Sequence, residues 1–318
     1  MHVPIEVTEL TKRYDTVTAL AGISFTVQRG EIMGFLGPNG AGKTTTLRIL
    51  TGMLAPTNGS VRIEGWDVTT HPLEVRRRIG YLPEHVALYP ELRVQEYLAY
   101  RAQLKGVAAR ERRARLAAVV EQCALTEVRR QLIGRLSKGY RQRVALADCL
   151  VGEPSILILD EPTVGLDPHQ IRQTRELITA LGRTATILLS THILPEVEMI
   201  CNRVAIIDQG RIAAVDTPER LRQRLQGTQL VRVQLRAEPA DRGAMEAALK
   251  QLPGVSRVAS AGTAAGADAF EVEATLGADV REAIFRLAVE RRWTLRELAA
   301  SSASLEDVFI HLTTHETV

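Results

Sequence analysis

The most regular feature of the chain is a set of short apolar runs with helical patterns between them. The runs at residues 32–36, 156–159, 187–189 and 204–207 contain no charged or polar side chain. Runs of this length predict strands that are buried on both faces, as in the middle of a parallel sheet. Because helical periodicity separates these strands, the predicted fold class is α/β.

Weaker strand patterns surround the first run. Residues 3–10 and 23–27 are predicted strands, and the turn-rich segment 11–22 between them is predicted to be irregular. Residues 60–65 alternate between apolar and polar positions after a turn at 55–59, which indicates a further strand. This half of the chain is therefore predicted to mix antiparallel strands with the parallel sheet.

A long helical pattern follows. From residue 94 to residue 125, apolar positions recur at helical spacing among many arginines and alanines. The pattern predicts an all-helical insertion, a helical subdomain at about residues 89–150. Ser137 is suited to cap the next helix, which is predicted to end at Leu150.

The pattern changes near residue 226 and predicts a second domain. Its strands are predicted at residues 230–236, 255–259, 270–276 and 293–298. Helices lie between them, a loose Gly/Ala segment covers residues 261–269, and a last helix opens near Ser304. The order βαββαβ predicts a ferredoxin-like α+β domain at residues 226–318, after a first domain at residues 1–225.

Composition agrees with this organisation. A chain of 318 residues usually folds around more than one hydrophobic core. A share of 24% charged residues is ordinary for a globular protein. No apolar stretch reaches the length of a membrane-spanning helix, and residues 1–6 lack a signal-peptide pattern, so we expect a cytoplasmic protein. The net charge of +3 does not require nucleic acid as a partner, and none is expected. The arginine clusters at 76–78, 110–115 and 129–130 are interpreted as solvated helix faces, with lipid headgroups or a protein partner as the alternative.

The cysteines point in the same direction. Cys123, Cys149 and Cys201 are odd in number, far apart and without a C-x-x-C pair. Buried free thiols are therefore predicted instead of a disulfide or a zinc site.

A glycine-rich motif follows the first apolar run. It fits G-x-x-x-x-G-K-[ST], between the strand and the helix that a phosphate-binding loop needs. Its residues, with the threonine that follows, are Gly37, Pro38, Asn39, Gly40, Ala41, Gly42, Lys43, Thr44 and Thr45. The backbone N–H groups would cradle a polyphosphate, Lys43 would reach its β- and γ-phosphates, and Thr44 would ligate Mg²⁺. A plain glycine-rich turn is disfavoured because all four fixed positions and both flanks agree with the motif.

Two carboxylates, Asp160 and Glu161, end the second apolar run, and His192 follows the third run closely. Phosphoryl transfer depends on positioning and charge neutralisation, which such groups supply at the end of a strand. A role as cap or turn residues is the alternative, and the position directly after an apolar strand disfavours it.

Together with the segment LSKGY at residues 136–140, these motifs resemble the ATP-binding subunit of an ABC transporter. Within that family the chain is most similar to exporter subunits of the drug-resistance and gliding-motility type. The resemblance covers about residues 1–225, and the ending SLEDVF at residues 304–309 is associated with the same branch. It implies a P-loop NTPase fold, the ABC cassette, with ATP and Mg²⁺ as ligands.

The resemblance also implies roles for individual residues. Tyr14 would stack on the adenine base, although the residue alone fits a core aromatic equally well. Asp160 would be a Mg²⁺ carboxylate, either as a direct ligand or through another ligand of the metal. Glu161 would polarise the attacking water, and His192 would contact the γ-phosphate. The segment GLD at residues 165–167 would touch a second cassette.

Two positions depart from the family pattern. The usual signature is LSGGQ, whereas this chain has Lys138 and Tyr140 in place of the first of the two glycines and the glutamine. Ser137 and Gly139 keep the hydroxyl and N–H groups that would bind a γ-phosphate across a dimer interface. Glu84 stands where the family usually has glutamine, and its hard oxygens are predicted to contact Mg²⁺.

The resemblance implies an energy-coupling ATPase. Two copies would close on two Mg-ATP and reopen after hydrolysis, thereby driving a separate transmembrane permease that holds the protein on the inner face of the cell membrane. The alternative is a soluble, non-transport ABC ATPase that acts on a macromolecular partner. Ribosome-acting members usually carry two cassettes and DNA-repair members a long coiled coil, and this sequence shows neither pattern. Retention of Glu161 and His192 disfavours a regulator that binds ATP without hydrolysis.

Overall fold

The computed structural model of the protein describes residues 2–225, 228–237, 241–264, 267–275, 279–301 and 309. The chain divides into two units, Met1–Pro218 and Glu219–Val318. The predicted division into domains at residue 225 stays a prediction. Among the described residues, no helix combines the length and the apolar character that crossing a membrane requires.

The first unit alternates strands and helices along the chain. Its strands are β1 (Ile5–Tyr14), β2 (Val17–Val27), β3 (Ile32–Leu36), β4 (Asn58–Ile63), β5 (Trp66–Asp67), β6 (Ile79–Leu82), β7 (Ile156–Asp160), β8 (Thr186–Thr191), β9 (Arg203–Asp208) and β10 (Arg211–Asp216). Its helices are α1 (Lys43–Leu50), α2 (Pro72–Arg78), α3 (Val94–Leu104), α4 (Ala109–Gln122), α5 (Lys138–Leu150), α6 (Pro168–Leu181) and α7 (Leu194–Ile200), with a 3-10 turn at Ile133–Arg135. A further helix, α8 (Pro218–Leu225), spans the boundary between the two units.

The central sheet has the order β10-β9-β3-β8-β7-β6, with β10 antiparallel to β9 and the other neighbours parallel. The four apolar runs form its inner strands, and every residue of β3, β7 and β8 is buried. The prediction of buried parallel strands is therefore confirmed. Because parallel strands end at one edge, the residues after β3, β6, β7 and β8 lie close together, where α/β proteins bind ligands.

A second, antiparallel sheet with the order β2-β1-β4-β5 packs on the first, and α1 contributes to the core between them. The prediction for residues 11–22 was wrong, since β1 and β2 continue through that segment as a hairpin. Irregular pairing interrupts the alternation of β1, which hides the strand from a pattern search. Asp15 makes the turn with a φ of 42°, a conformation that asparagine and aspartate tolerate better than most residues.

The predicted helical insertion is present as α3, α4 and α5. Ser137 caps α5 as predicted, because its hydroxyl accepts a hydrogen bond from the Tyr140 N–H at 3.3 Å. In the arginine-rich last turn of α2, Arg77 and Arg78 pair with Glu74 on the same helix. The three cysteines are buried free thiols, as predicted.

The second unit contains β11 (Thr228–Arg236), α9 (Arg242–Lys250), β12 (Val255–Ala264), β13 (Ala267–Thr275), α10 (Arg281–Glu290) and β14 (Thr294–Ser301). The strands form an antiparallel sheet with the order β12-β13-β11-β14, the arrangement of a ferredoxin-like domain. Where the Gly/Ala segment is described, at 261–264 and 267–269, it is more regular than predicted, because β12 continues past a bulge near Gly262, whose φ is 97°. The predicted start of the last helix, Ser304, lies outside the described residues.

Candidate nucleotide-binding site

The glycine-rich motif connects β3 to α1, and its backbone lies against the neighbouring strands. A Cβ atom on Gly37 would sit 2.4 Å from the carbonyl oxygen of Ile207. Gly42 has a φ of 107°, and a Cβ there would meet Leu20 at 2.7 Å. Both positions therefore need glycine, one for close approach and the other for its backbone conformation.

The loop ends at a helix N-terminus that suits an anion. Gly42 is the N-cap of α1, no side chain caps the helix, and its first turn contains no acidic residue. The first N–H groups of a helix have no partner within the helix, and the dipole adds positive charge there. The residues present therefore fit the phosphates of a nucleotide.

Lys43 is buried to 6% exposure at this helix start. Its ammonium donates to the carbonyl oxygens of Gly37 at 2.7 Å and Pro38 at 3.2 Å. It also lies 3.6 Å from Oε1 of Glu161. A buried cation requires such compensation, and phosphate oxygens would supply it when a nucleotide binds.

Glu161 occupies the centre of the site. Its carboxylate lies 2.9 and 3.0 Å from Nδ1 of His192, and its side chain is 7% exposed. Its φ of 50° lies in the left-handed region, and its N–H donates to the carbonyl oxygen of Ser190 at 3.1 Å. Backbone strain of this kind persists only where the surroundings impose it, and here it turns the carboxylate toward Lys43 and His192.

Asp160 lies one residue earlier and is 1% exposed. Its carboxylate accepts a hydrogen bond from the Ser190 hydroxyl. Burial raises the pKa of Asp160, while hydrogen bonds from Ser190 and Thr44 lower it, and the charges of Glu161 and Glu84 raise it again. A nearby divalent cation would favour the ionised carboxylate over this desolvation cost.

Ser190 is a residue that the motif search missed. It pairs with Asp160 in the parallel register of β7 and β8. The signal was present, because both apolar runs end at these positions and parallel neighbours end at one edge of a sheet.

These groups surround a pocket of about 320 Å³ at the edge of the sheet. It is lined by Ala19, Pro38, Asn39, Gly40, Gly42, Lys43, Thr44, Thr45, Glu84, Glu161, Val164 and His192. The structure thus brings together the phosphate loop, Glu84, Glu161 and His192. Ala19 and Val164 line the pocket without having been singled out from the sequence, because apolar residues carry no motif.

Tyr14 lies outside this lining. It ends β1 with 44% exposure, and its ring centre lies 5.2 Å from the ammonium of Lys12. The ring is exposed and not part of the core, which leaves its adenine role as a prediction.

Ser137 and Gly139 line a different pocket of about 310 Å³, where α5 meets the start of α6. The side chain of Gln170 lies close over Gly139, and the Lys138 ammonium lies over Gly165. No residue of this pocket also lines the phosphate-loop pocket. Within one chain the two sets of residues therefore form separate surfaces.

The predicted metal ligands are Thr44, Glu84 and Asp160. Thr44 and Glu84 line the pocket, and the Thr44 hydroxyl lowers the pKa of Asp160. In the part of the chain that the structure describes, no cluster of three or more His, Cys, Asp or Glu side chains is arranged to hold a metal ion. A metal here would depend on a hydroxyl, two carboxylates and oxygens from the nucleotide.

Comparison with known proteins decides the family. A sequence model described as ABC transporter matches residues 20–164. The linearmycin resistance ATP-binding protein LnrL of Bacillus subtilis is 34% identical over 72% of this chain and 74% of its own length. The daunorubicin resistance ATP-binding protein DrrA3 of Streptomyces coeruleorubidus is 35% identical over 95% of this chain and 93% of its own. This chain belongs to the ATP-binding proteins of ABC transporters.

Solved structures agree with this family. An ATP-binding subunit of an ABC transporter, 34% identical, covers 70% of this chain and 92% of its own with a TM-score of 0.64. A dimeric ATP-binding cassette in a post-hydrolysis state with ADP and Pi, 25% identical, covers 67% of this chain and 98% of its own with a TM-score of 0.62. The ABC cassette fold is therefore confirmed, and membership of the family implies ATP binding and ATPase activity.

Proposed function

We propose that the protein hydrolyses Mg-ATP and that ATP-driven pairing of two copies of it powers a separate membrane-spanning exporter. One observation carries the catalytic half of this proposal. Beside the phosphate loop, the Glu161 carboxylate lies 3.6 Å from the Lys43 ammonium and 2.9 Å from Nδ1 of His192. A cation, a carboxylate and an imidazole at this place are the groups that hydrolysis of a γ-phosphate needs.

Each residue has a distinct task in this proposal. The N–H groups at the start of α1 and the Lys43 ammonium bind the phosphates of ATP. Glu161 orients the attacking water and accepts its proton, and His192 fixes that carboxylate and reaches the γ-phosphate. Thr44 and Asp160, with Glu84 at the pocket wall, would hold Mg²⁺, which would neutralise charge on the β- and γ-phosphates.

The separation of the two pockets supports pairing of two copies. Ser137 caps α5 and Gly139 lies in its first turn, a helix start that suits a phosphate. Both residues lie apart from the phosphate loop of their own chain. A second copy, placed head to tail, would bring its α5 to this loop and enclose the nucleotide. The dimeric cassette among the structural relatives agrees with such an assembly.

The names of the relatives support export. LnrL and DrrA3 are resistance ATP-binding proteins, and a 42% identical relative from Burkholderia thailandensis is a Nod factor export ATP-binding protein. A permease partner would hold the protein at the inner face of the cell membrane. Co-purification with a multispanning membrane protein is the expected result. Recovery without any membrane protein would favour a non-transport ABC ATPase.

The decisive experiment is Glu161→Gln. Glutamine keeps the shape and a hydrogen bond to water but accepts no proton, so ATP binding persists and turnover falls at least about a hundredfold. Because hydrolysis reopens the dimer, the variant accumulates as an ATP-bound dimer. Phosphate release and light scattering with Mg-ATP measure both effects.

Glu176→Gln on the exposed side of α6 is the matched control and keeps the parent rate. A Glu161→Gln protein with the parent hydrolysis rate would refute the assignment of the base. A variant that binds ATP and never dimerises would refute the pairing of two copies.

A further inference from the structure

Arg175 on α6 and Glu196 on α7, the helix that follows His192, form an ion pair outside the pocket. Glu196 on α7 is 1% exposed, and the Arg175 side chain on α6 is 20% exposed. A terminal guanidinium nitrogen of Arg175 lies 3.7 Å from Oε1 of Glu196, beyond hydrogen-bond distance. Within the described residues, Oε1 of Glu196 and Nε of Arg175 are buried without any hydrogen-bond partner. Unsatisfied buried charges are costly, so their retention calls for a functional reason.

Glu196 is connected to the residues on both sides of His192. Its second oxygen, Oε2, accepts a hydrogen bond from the Thr191 hydroxyl at 3.1 Å. The same hydroxyl accepts one from the Ile193 N–H at 3.0 Å. The Glu196 carboxylate therefore fixes the turn that carries the His192 ring toward Glu161.

Arg175 lies on the helix that follows residues 165–167. It lies about two turns into α6, whose N-cap Asp167 accepts from the Gln170 N–H at 2.9 Å. The loop before this cap, residues 165–167, is the one expected to touch a second copy. Arg175 also donates to the sulfur of Met199 on α7 at 3.0 Å, so it bridges the two helices.

We propose that Arg175 and Glu196 are positioning residues that couple α6 to His192. The inference rests on the proposed function, because it concerns hydrolysis by two paired copies. A movement of α6 by roughly 1 Å, when a second copy presses on residues 165–167, brings the guanidinium within hydrogen-bond distance of Oε1. The paired state then gains a hydrogen bond that the single chain lacks. The His192 ring already contacts Glu161 in the single chain, and the turn that carries it is held more firmly once the partner has docked.

The first test separates positioning from stability. Glu196→Gln keeps the shape and the bond from Thr191 but removes the charge, and Arg175→Met keeps the length without the guanidinium. For both we expect kcat per folded protein to fall about tenfold or more, with KM for ATP within about twofold. The controls Glu198→Gln and Arg172→Met, on exposed positions of the same two helices, keep kcat within about twofold of the parent.

The second test measures pairing directly. In a Glu161→Gln background, Arg175→Met raises the ATP concentration needed for dimerisation by about tenfold, while ATP binding to the monomer is unchanged. Arg175→Lys, which keeps the charge without the planar fork, gives a smaller shift.

Two outcomes would overturn the inference. One is a lower thermal midpoint with an unchanged kcat per folded protein, which would make the pair a purely structural feature. The other is unchanged dimerisation in the Glu161→Gln background. Both outcomes can be interpreted only if the parent protein hydrolyses ATP and the Glu161→Gln protein dimerises. A parent without hydrolysis would instead refute the proposed function.

Discussion

The carboxylates at the phosphate loop differ in how the structure fixes them. Glu161 contacts both Lys43 and His192, and Asp160 is held by the Ser190 hydroxyl. Glu84 lies on the loop after β6, is exposed and also lines the pocket. Its charge also contributes to the raised pKa of Tyr81, about 12, which is mainly due to burial. The departure from the family glutamine therefore adds negative charge to the pocket lining, where it also helps to raise the pKa of Asp160.

Glu84→Gln is therefore expected to leave ATPase activity within about tenfold of the parent. Either side chain offers an oxygen to Mg²⁺, and tenfold corresponds to only ~1.4 kcal/mol of barrier. A phosphate-release assay at several Mg²⁺ concentrations checks this. Complete loss of activity would show that the carboxylate itself takes part in catalysis.

The buried thiols provide a separate prediction. Burial raises the pKa of Cys123, Cys149 and Cys201 to about 12, so each is protonated at neutral pH. Only the thiolate reacts with alkylating agents. We expect none of them to be labelled by iodoacetamide at about pH 8.5 in the native protein, and all to be labelled in guanidinium. Mass spectrometry of both samples gives the count, and labelling of the native protein would contradict the burial.

Individual site residues could be predicted where the residues that act together are neighbours in the sequence. The motif located Lys43 and Thr44 because the loop, strand and helix follow one another directly. Ser190 and the pair Arg175 and Glu196 could not be found in this way. Their contacts depend on the register of β7 with β8 and on the packing of α6 against α7, which no local pattern encodes.

At the scale of the elements, a polar cluster joins α3 to α5. Asp148 on α5 is 14% exposed and accepts from Arg101 at 2.9 Å and from the Tyr97 hydroxyl at 3.2 Å. The Lys105 ammonium lies 3.1 Å from the same carboxylate. Lys138 and Tyr140 lie in the first turn of α5, and α3 follows the loop that carries Glu84. This cluster therefore links the helix that carries two of the unusual residues to the helix that follows the third.

Asp148→Ala should lower the free energy of unfolding of the first unit by about 2 to 3 kcal/mol. The substitution leaves the Arg101 charge and the Tyr97 hydroxyl partly buried without this partner. Urea unfolding followed by Trp66 fluorescence, in a Trp293→Phe background, reports on this unit alone. Glu121→Ala on the exposed face of α4 is the control, with an expected change of about 0.5 kcal/mol or less. An equal effect of both substitutions would contradict a role of the cluster in holding the subdomain.

Strands whose residues are all buried could be predicted from the sequence, whereas strands with irregular pairing could not. The strands β3, β7, β8 and β9 each contain an uninterrupted apolar run whose residues are all buried, so exposed positions do not obscure the pattern. The hairpin of β1 and β2 has one open face and several irregular pairs, and its turn at Asp15 contains no glycine. Bulges shift the alternation by one residue each time, which removes the periodic signal.

At the scale of the whole molecule, each unit has its own hydrophobic core. The cluster of the first unit draws on β1 to β4, α1 and the central strands and ends at Ile207, with Val215 as the last residue packed against it. The cluster of the second unit begins at Val231 and includes Phe270 and Ile284. No described residue belongs to both clusters. Every residue of the candidate site also precedes residue 193.

A protein that ends at Leu225 is therefore expected to fold and to bind ATP with a Kd within about threefold of that of the full chain. It keeps the whole first core, the phosphate loop and the residues around it, and it loses only a unit with a separate core. Isothermal titration with Mg-ATP, beside thermal unfolding of both proteins, measures binding and folding independently. A shortened protein that is folded and does not bind ATP would show that the ferredoxin-like unit takes part in the nucleotide site. An insoluble one would show that the two units depend on each other to fold.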